Sequence, residues 1–177
     1  MRPPVVAASI AVALVANAAA GAAATGVSLS PEAVVLVDST AKVAARPLNE
    51  TVVLVTVGGG VVAPATIRAI YDADGRVTSG LATWHAGGSV LFTSPDCTAG
   101  AHVHSSTYAG VRATTQVQTA AGIMLYVGAI GAGGTAAIHS ILYDTGCAPV
   151  TVQVNGLLPV VTFLNLNTAY PPPLAFQ

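Results

Sequence analysis

Lys42 is the single lysine of this chain, and Glu32 and Glu50 are its only glutamates. That scarcity constrains the fold more than any motif does. A soluble helix dresses its outer face with Glu, Lys, Gln and Arg, and the residues to dress several helices are missing. Charged residues make up 7% of the sequence, against about 25% in an ordinary globular domain. Val, Thr, Ile and Gly are abundant instead, and they suit pleated strands and tight turns. An all-β fold is expected before any window is read.

The N-terminus has a different character. Met1-Arg2-Pro3-Pro4 is followed by an apolar run over 5–15 and by small residues over 16–24. A charged start, a short apolar core and a small-residue zone make a secretory signal peptide. The core is shorter than the roughly 20 apolar residues a helical span requires. Counting the alanines up to Ala24 lengthens it enough for a retained anchor, which is the second reading. Ala16-Asn17-Ala18, Ala18-Ala19-Ala20 and Ala22-Ala23-Ala24 each fit the small-x-small cleavage rule. The expected organisation is a signal peptide over 1–24, a linker over 25–32 and one β-domain over 33–177. The expected location is secreted, periplasmic or cell-surface, with no membrane span after cleavage.

About 150 residues remain, enough for one domain with a real core. Apolar runs recur at 33–37, 51–57, 66–71, 89–93, 111–119, 123–130, 136–143, 150–154 and 159–166. Turn signals separate them, among them Asp38-Ser39-Thr40, Gly58-Gly59-Gly60, Asp72-Ala73-Asp74-Gly75 and Asn155-Gly156. Many short strands punctuated this way predict a single antiparallel β-sandwich of about eight to ten strands, with a small closed barrel as the alternative. Within 111–119 the alternation assigns Arg112, Thr114, Gln116 and Gln118 to a wet face. Val111, Ala113, Thr115 and Val117 take the buried one. Pro171-Pro172-Pro173 is expected to end the fold, because proline cannot donate to a ladder.

Cys97 and Cys147 are the only cysteines, and an even count in an exported chain reads as one disulfide. Net charge is near zero and Arg46, Arg68, Arg76 and Arg112 are dispersed, so nucleic acid, which needs clustered cations against phosphate, is not an expected partner. Low charge also removes the usual lysine protection of sheet edges, which favours self-association.

Four motifs touch on chemistry. Ser39-Thr40-Ala41-Lys42 matches S-x-x-K, but with one lysine the companion K-T-G cannot exist, so a turn is expected. Gly131-Ala132-Gly133-Gly134-Thr135-Ala136 matches G-x-G-x-x-A. The following residues are too few for a doubly wound sheet, and a glycine-rich hairpin loop is expected with no cofactor. Asp72-Ala73-Asp74-Gly75 lacks the later ligands of a calcium loop and reads as a hairpin turn. His102-Val103-His104 places two imidazoles on one side of a strand. With His85, His139 or Asp96 they would make a zinc or copper site, yet no third ligand has metal-motif spacing. A surface pair is the preferred reading, and Trp84 is expected in the core or at its rim.

Taken in order, several segments resemble a recurrent, functionally unassigned two-cysteine β-domain of exported bacterial proteins. They are Val35-Leu36-Val37-Asp38, Ile70-Tyr71-Asp72-Ala73-Asp74-Gly75-Arg76, Val90-Leu91-Phe92-Thr93-Ser94-Pro95-Asp96-Cys97, Leu125-Tyr126-Val127-Gly128, a second cysteine, and Tyr170-Pro171-Pro172-Pro173-Leu174. The resemblance implies a bacterial source and export, and it brings no catalytic residues. The expected function is therefore a non-catalytic exported domain with a binding or assembly role toward itself or an extracellular ligand. The alternatives are a pilin-like subunit that keeps its N-terminal apolar helix, and a small metal protein or metal-dependent enzyme using His102 and His104.

Overall fold

The computed structural model describes residues 34–106 and 111–177, which belong to one compact unit, Ala33–Gln177. The segments read as signal peptide and linker lie outside the described residues. The first strands are β1 (Leu36–Val37), β2 (Val43–Pro47), β3 (Val52–Val57), β4 (Val61–Tyr71) and β5 (Val77–Trp84). Then come β6 (Val90–Phe92), β7 (Ala101–His104), β8 (Thr114–Thr119), β9 (Gly122–Gly128) and β10 (Gly134–Tyr143). The chain continues through β11 (Gly146–Asn165), a short helix α1 (Leu166–Ala169) and β12 (Leu174–Phe176). The fold is all-β and antiparallel, as the composition requires. One sheet closes into a barrel, β1-β12-β5-β4-β3-β2, and a second six-stranded sheet runs β10-β6-β7-β11-β9-β8.

The barrel is narrow, and its register explains why. Val53 faces Ala65 and Val55 faces Ala63 across β3 and β4, so each branched side chain meets a methyl. All four are buried. Alternating large and small residues fill the taper of a small barrel. Trp84 is 1% exposed, and its indole N–H donates to the Tyr170 carbonyl at 2.9 Å. Tyr170 follows α1 and donates its hydroxyl to the Thr56 carbonyl at 3.2 Å. Leu166 of α1, Leu174 of β12 and Ile123, Leu125 and Val127 of β9 complete the same core cluster. Trp84 is thus a core residue, with its polar edge satisfied.

The two Asp turns are built alike. Asp38 Oδ1 accepts from the Thr40 and Lys42 amides at 2.8 and 3.1 Å, and Asp72 Oδ1 accepts from Asp74 and Arg76 at 2.9 Å each. In each hairpin the fourth residue is left-handed, Ala41 at φ 64° and Gly75 at φ 76°. Both motifs, S-x-x-K and the calcium-like loop, are therefore hairpin chemistry.

Three expectations need correction. The triple proline does not end the fold: beyond it, β12 pairs with β1 on one side and β5 on the other and closes the barrel. Its three residues carry no run long enough to register as a strand from sequence. Asn155-Gly156 is not a turn between strands either. β11 passes through it, with Gly156 at φ 72° and an irregular register against β10. A bulge admits a left-handed glycine inside a continuous strand. Finally, Gln116 is not on a wet surface, being 6% exposed, although Gln118 on the same face of β8 is exposed as expected. The barrel covers Gln116 and supplies backbone partners.

Cys97 and Cys147 are bonded, with Cα atoms 6.0 Å apart. The bridge ties the β6–β7 loop to the start of β11. Beside it Ser140, fully buried, donates to the Ser94 carbonyl at 2.6 Å and accepts from the Cys97 amide at 3.0 Å.

Candidate functional site

Where barrel and second sheet meet, polar groups lock them together. The Gln116 side chain takes the Thr66 amide on its carbonyl and donates its NH₂ to the Thr66 carbonyl at 3.1 Å. A primary amide here copies a peptide group and extends the ladder of β4 sideways. Thr114 Oγ1 donates to the Pro64 carbonyl at 2.9 Å, using an acceptor on a residue that has no N–H of its own. Gly88 donates to the Gln116 carbonyl at 2.9 Å. A Cβ at Gly88 would lie 2.0 Å from Thr115 Oγ1, so only glycine fits there.

Beyond this seam the two halves diverge around a cleft. Its two lobes, about 840 and 630 Å³, share Leu48, Pro64, Ser106, Val111, Arg112 and Ala113. One wall comes from the barrel (Leu48, Leu54, Val62, Pro64) and the other from the second sheet (Val111, Ala113, Ile130, Leu158). Leu48 and Val62 are each 52% exposed and Ile130 is 79% exposed. Among the described residues Arg112 is the one charged lining residue, and its Nη1 donates to the Gly128 carbonyl at 3.3 Å. His104 lines the larger lobe.

The histidines do not converge. His102 and His104 stand on β7, opposite Pro159 and Leu157 of β11. His102 Nδ1 lies 2.7 Å from the Gly100 carbonyl, which commits that nitrogen locally. His85 is exposed beside the Gln116 seam, and His139 is on β10. Asp96 is occupied within its own loop. Hydrogen bonds from the Thr98 and Ser94 side chains hold its carboxyl below 3.8. Among the described residues no set of three His, Cys, Asp or Glu side chains is placed to hold a metal.

The glycine-rich segment is a loop between β9 and β10, and Thr135 opens no helix, because 134–143 is strand. A Cβ at Gly133 would meet the Gly156 backbone at 2.5 Å, so the glycine serves the close approach of two backbone segments. Asn49 caps its own turn, accepting from the Thr51 and Val52 amides at 2.9 and 2.8 Å.

A third feature lay beyond sequence reasoning. β11 pairs with β10 along its first half and with β7 and β9 further on. Among the described residues, no strand pairs with the other side of β11 over 150–154. That pairing map depends on where distant strands dock, which apolar patterning does not encode. One signal was present in the sequence: no Asp, Glu, Lys, Arg or His follows Asp144.

No family model, curated protein or solved structure matches this chain. Among the described residues, no helix is long and apolar enough to cross a membrane.

Proposed function

We propose that this protein is an exported, non-catalytic β-domain that works at the cell surface or in the periplasm through binding and assembly, with a second copy of itself as one partner. The open stretch of β11 carries the reading. Natural sheets defend such edges with lysine, proline or a bulge. Here Pro149 and the bulge at Gly156 flank the stretch, but Val150-Thr151-Val152-Gln153-Val154 has no charge of its own. The segment is nearly palindromic. Antiparallel pairing with its own copy about Val152 sets valine opposite valine, and Thr151 opposite Gln153. Such a two-fold contact is closed and self-complementary. The disulfide agrees with an oxidising compartment, as does the N-terminal segment read as a signal peptide.

Sedimentation of the purified exported protein over a concentration series tests this reading. The expected result is a reversible monomer–dimer equilibrium. Val152→Lys would bring like charges together at the axis and leave only monomer, with an unchanged melting temperature. A wild-type protein that stays monomeric at every concentration contradicts the reading.

A further inference from the structure

The cleft between barrel and second sheet is distinct from the β11 edge and invites a ligand of its own. The walls of the smaller lobe are mainly aliphatic, the larger adding Asn49, Thr66, His104 and Thr114, and the exposed faces of Leu48, Val62 and Ile130 leave apolar surface in water that a ligand would cover, at roughly 25 cal/mol for each Å² removed from solvent. Lobes of about 630 and 840 Å³ fall within the range of small-molecule sites, roughly 300–1,000 Å³. Among the described residues the lining contains no carboxylate, and Arg112 is its only charge. One Nη of that guanidinium is spent on Gly128, so its remaining donors are available to an anion. A planar fork with a single positive charge matches a carboxylate monoanion, which it grips by two parallel hydrogen bonds. A phosphate dianion would keep an uncompensated charge there.

We propose that this cleft binds a free fatty acid, with the carboxylate on Arg112 and the acyl chain laid along Leu48, Val62 and Ile130. The chain lies in the smaller lobe, which Val62 and Ile130 line, while the head stays at Arg112, where the two lobes overlap. Polar contact fixes orientation, and the aliphatic walls supply most of the affinity.

Calorimetric titration of the purified exported protein with laurate, dodecanol and dodecyltrimethylammonium tests the assignment, each kept below its micelle concentration. Laurate is expected to bind with one-to-one stoichiometry, about tenfold or more tighter than dodecanol, the equivalent of one charged hydrogen-bonded contact. The cationic amphiphile is expected to bind weakest. Arg112→Gln should erase the preference for laurate over dodecanol, Arg112→Lys should retain only part of it because a point charge replaces the bidentate fork, and Ile130→Asp should weaken both. Melting temperature followed by Trp84 fluorescence confirms that each variant is folded. If Arg112→Gln unfolds, the ranking of the three amphiphiles on the wild type still decides. Equal affinity for laurate and dodecanol overturns the proposal, as does an absence of laurate binding. The Val152→Lys protein should bind laurate like the wild type, so failure of the cleft and failure of the edge are read separately.

Discussion

The barrel and the second sheet use the same apolar residues to opposite ends. Every barrel strand has two neighbours, because β12 slots between β1 and β5 and leaves no edge. Its core holds Trp84, Leu36, Val53, Val55 and Leu174 at 1% exposure or less. The second sheet gives Ile123, Leu125 and Val127 of β9 to that core, divides the rest of its apolar residues among three small clusters and carries a disulfide beside one of them. It also leaves one side of β11 over 150–154 without a strand partner among the described residues, β10 lying on the other. A chain with so little charge is kept from indiscriminate pairing by closure where it is closed. In the proposed function, its open stretch is where pairing occurs, the barrel is the scaffold and the second sheet is the working half.

Removing β12 should break this comparison most severely. A chain ending at Pro173 loses the fully buried Leu174, about 2–5 kcal/mol by itself, together with the ladders to β1 and β5. That approaches the whole stability of a typical domain, about 5–15 kcal/mol. Trp84 emission should shift to the wavelength of a solvated indole in the truncated protein. A native-like spectrum would mean that β12 is an accessory strand.

Loss of the disulfide should act on the other half. Its sequence separation is 50, and closing a loop of that length stabilises by about 4 kcal/mol in the chain-entropy view. A Cys97→Ser, Cys147→Ser double variant should lose protection first in β6, β7 and the first half of β11, as read by hydrogen exchange. Trp84 should stay buried under conditions where those strands have opened. Simultaneous opening of both halves would show one cooperative unit instead.

Acid should weaken the barrel through its first hairpin. Burial alone would raise the Asp38 carboxyl, but hydrogen bonds from the Thr40 hydroxyl and amide and the Lys42 amide outweigh it and set it below 3.8. A carboxyl lowered on folding contributes stability that is complete above its unfolded value and is lost as pH falls through its folded one. The wild type should therefore lose stability below pH 3.8, and Asp38→Asn should flatten that part of the acid-unfolding curve. Equal curves for the two proteins would remove Asp38 from the account.

The smallest effect lies in the same turn. Ala41 holds the left-handed position that Gly75 holds in the second Asp hairpin. Left-handed strain costs an alanine about 1–2 kcal/mol, and the flexibility glycine adds to the unfolded chain returns about 0.4–1 of it. Ala41→Gly should raise the urea midpoint slightly, and Gly75→Ala should lower it. A fall for Ala41→Gly would show that the two hairpins are not equivalent.

Much of this architecture is legible in the sequence. The dearth of Lys and Glu gives the class, and the Asp turns and the cysteine pair can be read residue by residue. β12 is too short to announce itself, and its place comes from the gap between β1 and β5. β2, β5 and β7 mix polar with apolar residues, so no apolar run marks them. Gln116 looks solvated because periodicity sorts residues by polarity and cannot see that a barrel strand offers that amide its partners. The cleft is harder still. Leu48, Val62, Arg112 and Ile130 sit far apart in the chain, and only the docking of one sheet against the other brings them together.

Hydrogen exchange of the exported protein at low and high concentration tests the division of labour most directly. If the second sheet is the working half and its edge pairs with a copy of itself, amides over 150–154 should exchange more slowly as concentration rises. Those of β3, β4 and β5 should not change. Added protection within the barrel, or none anywhere, would contradict it.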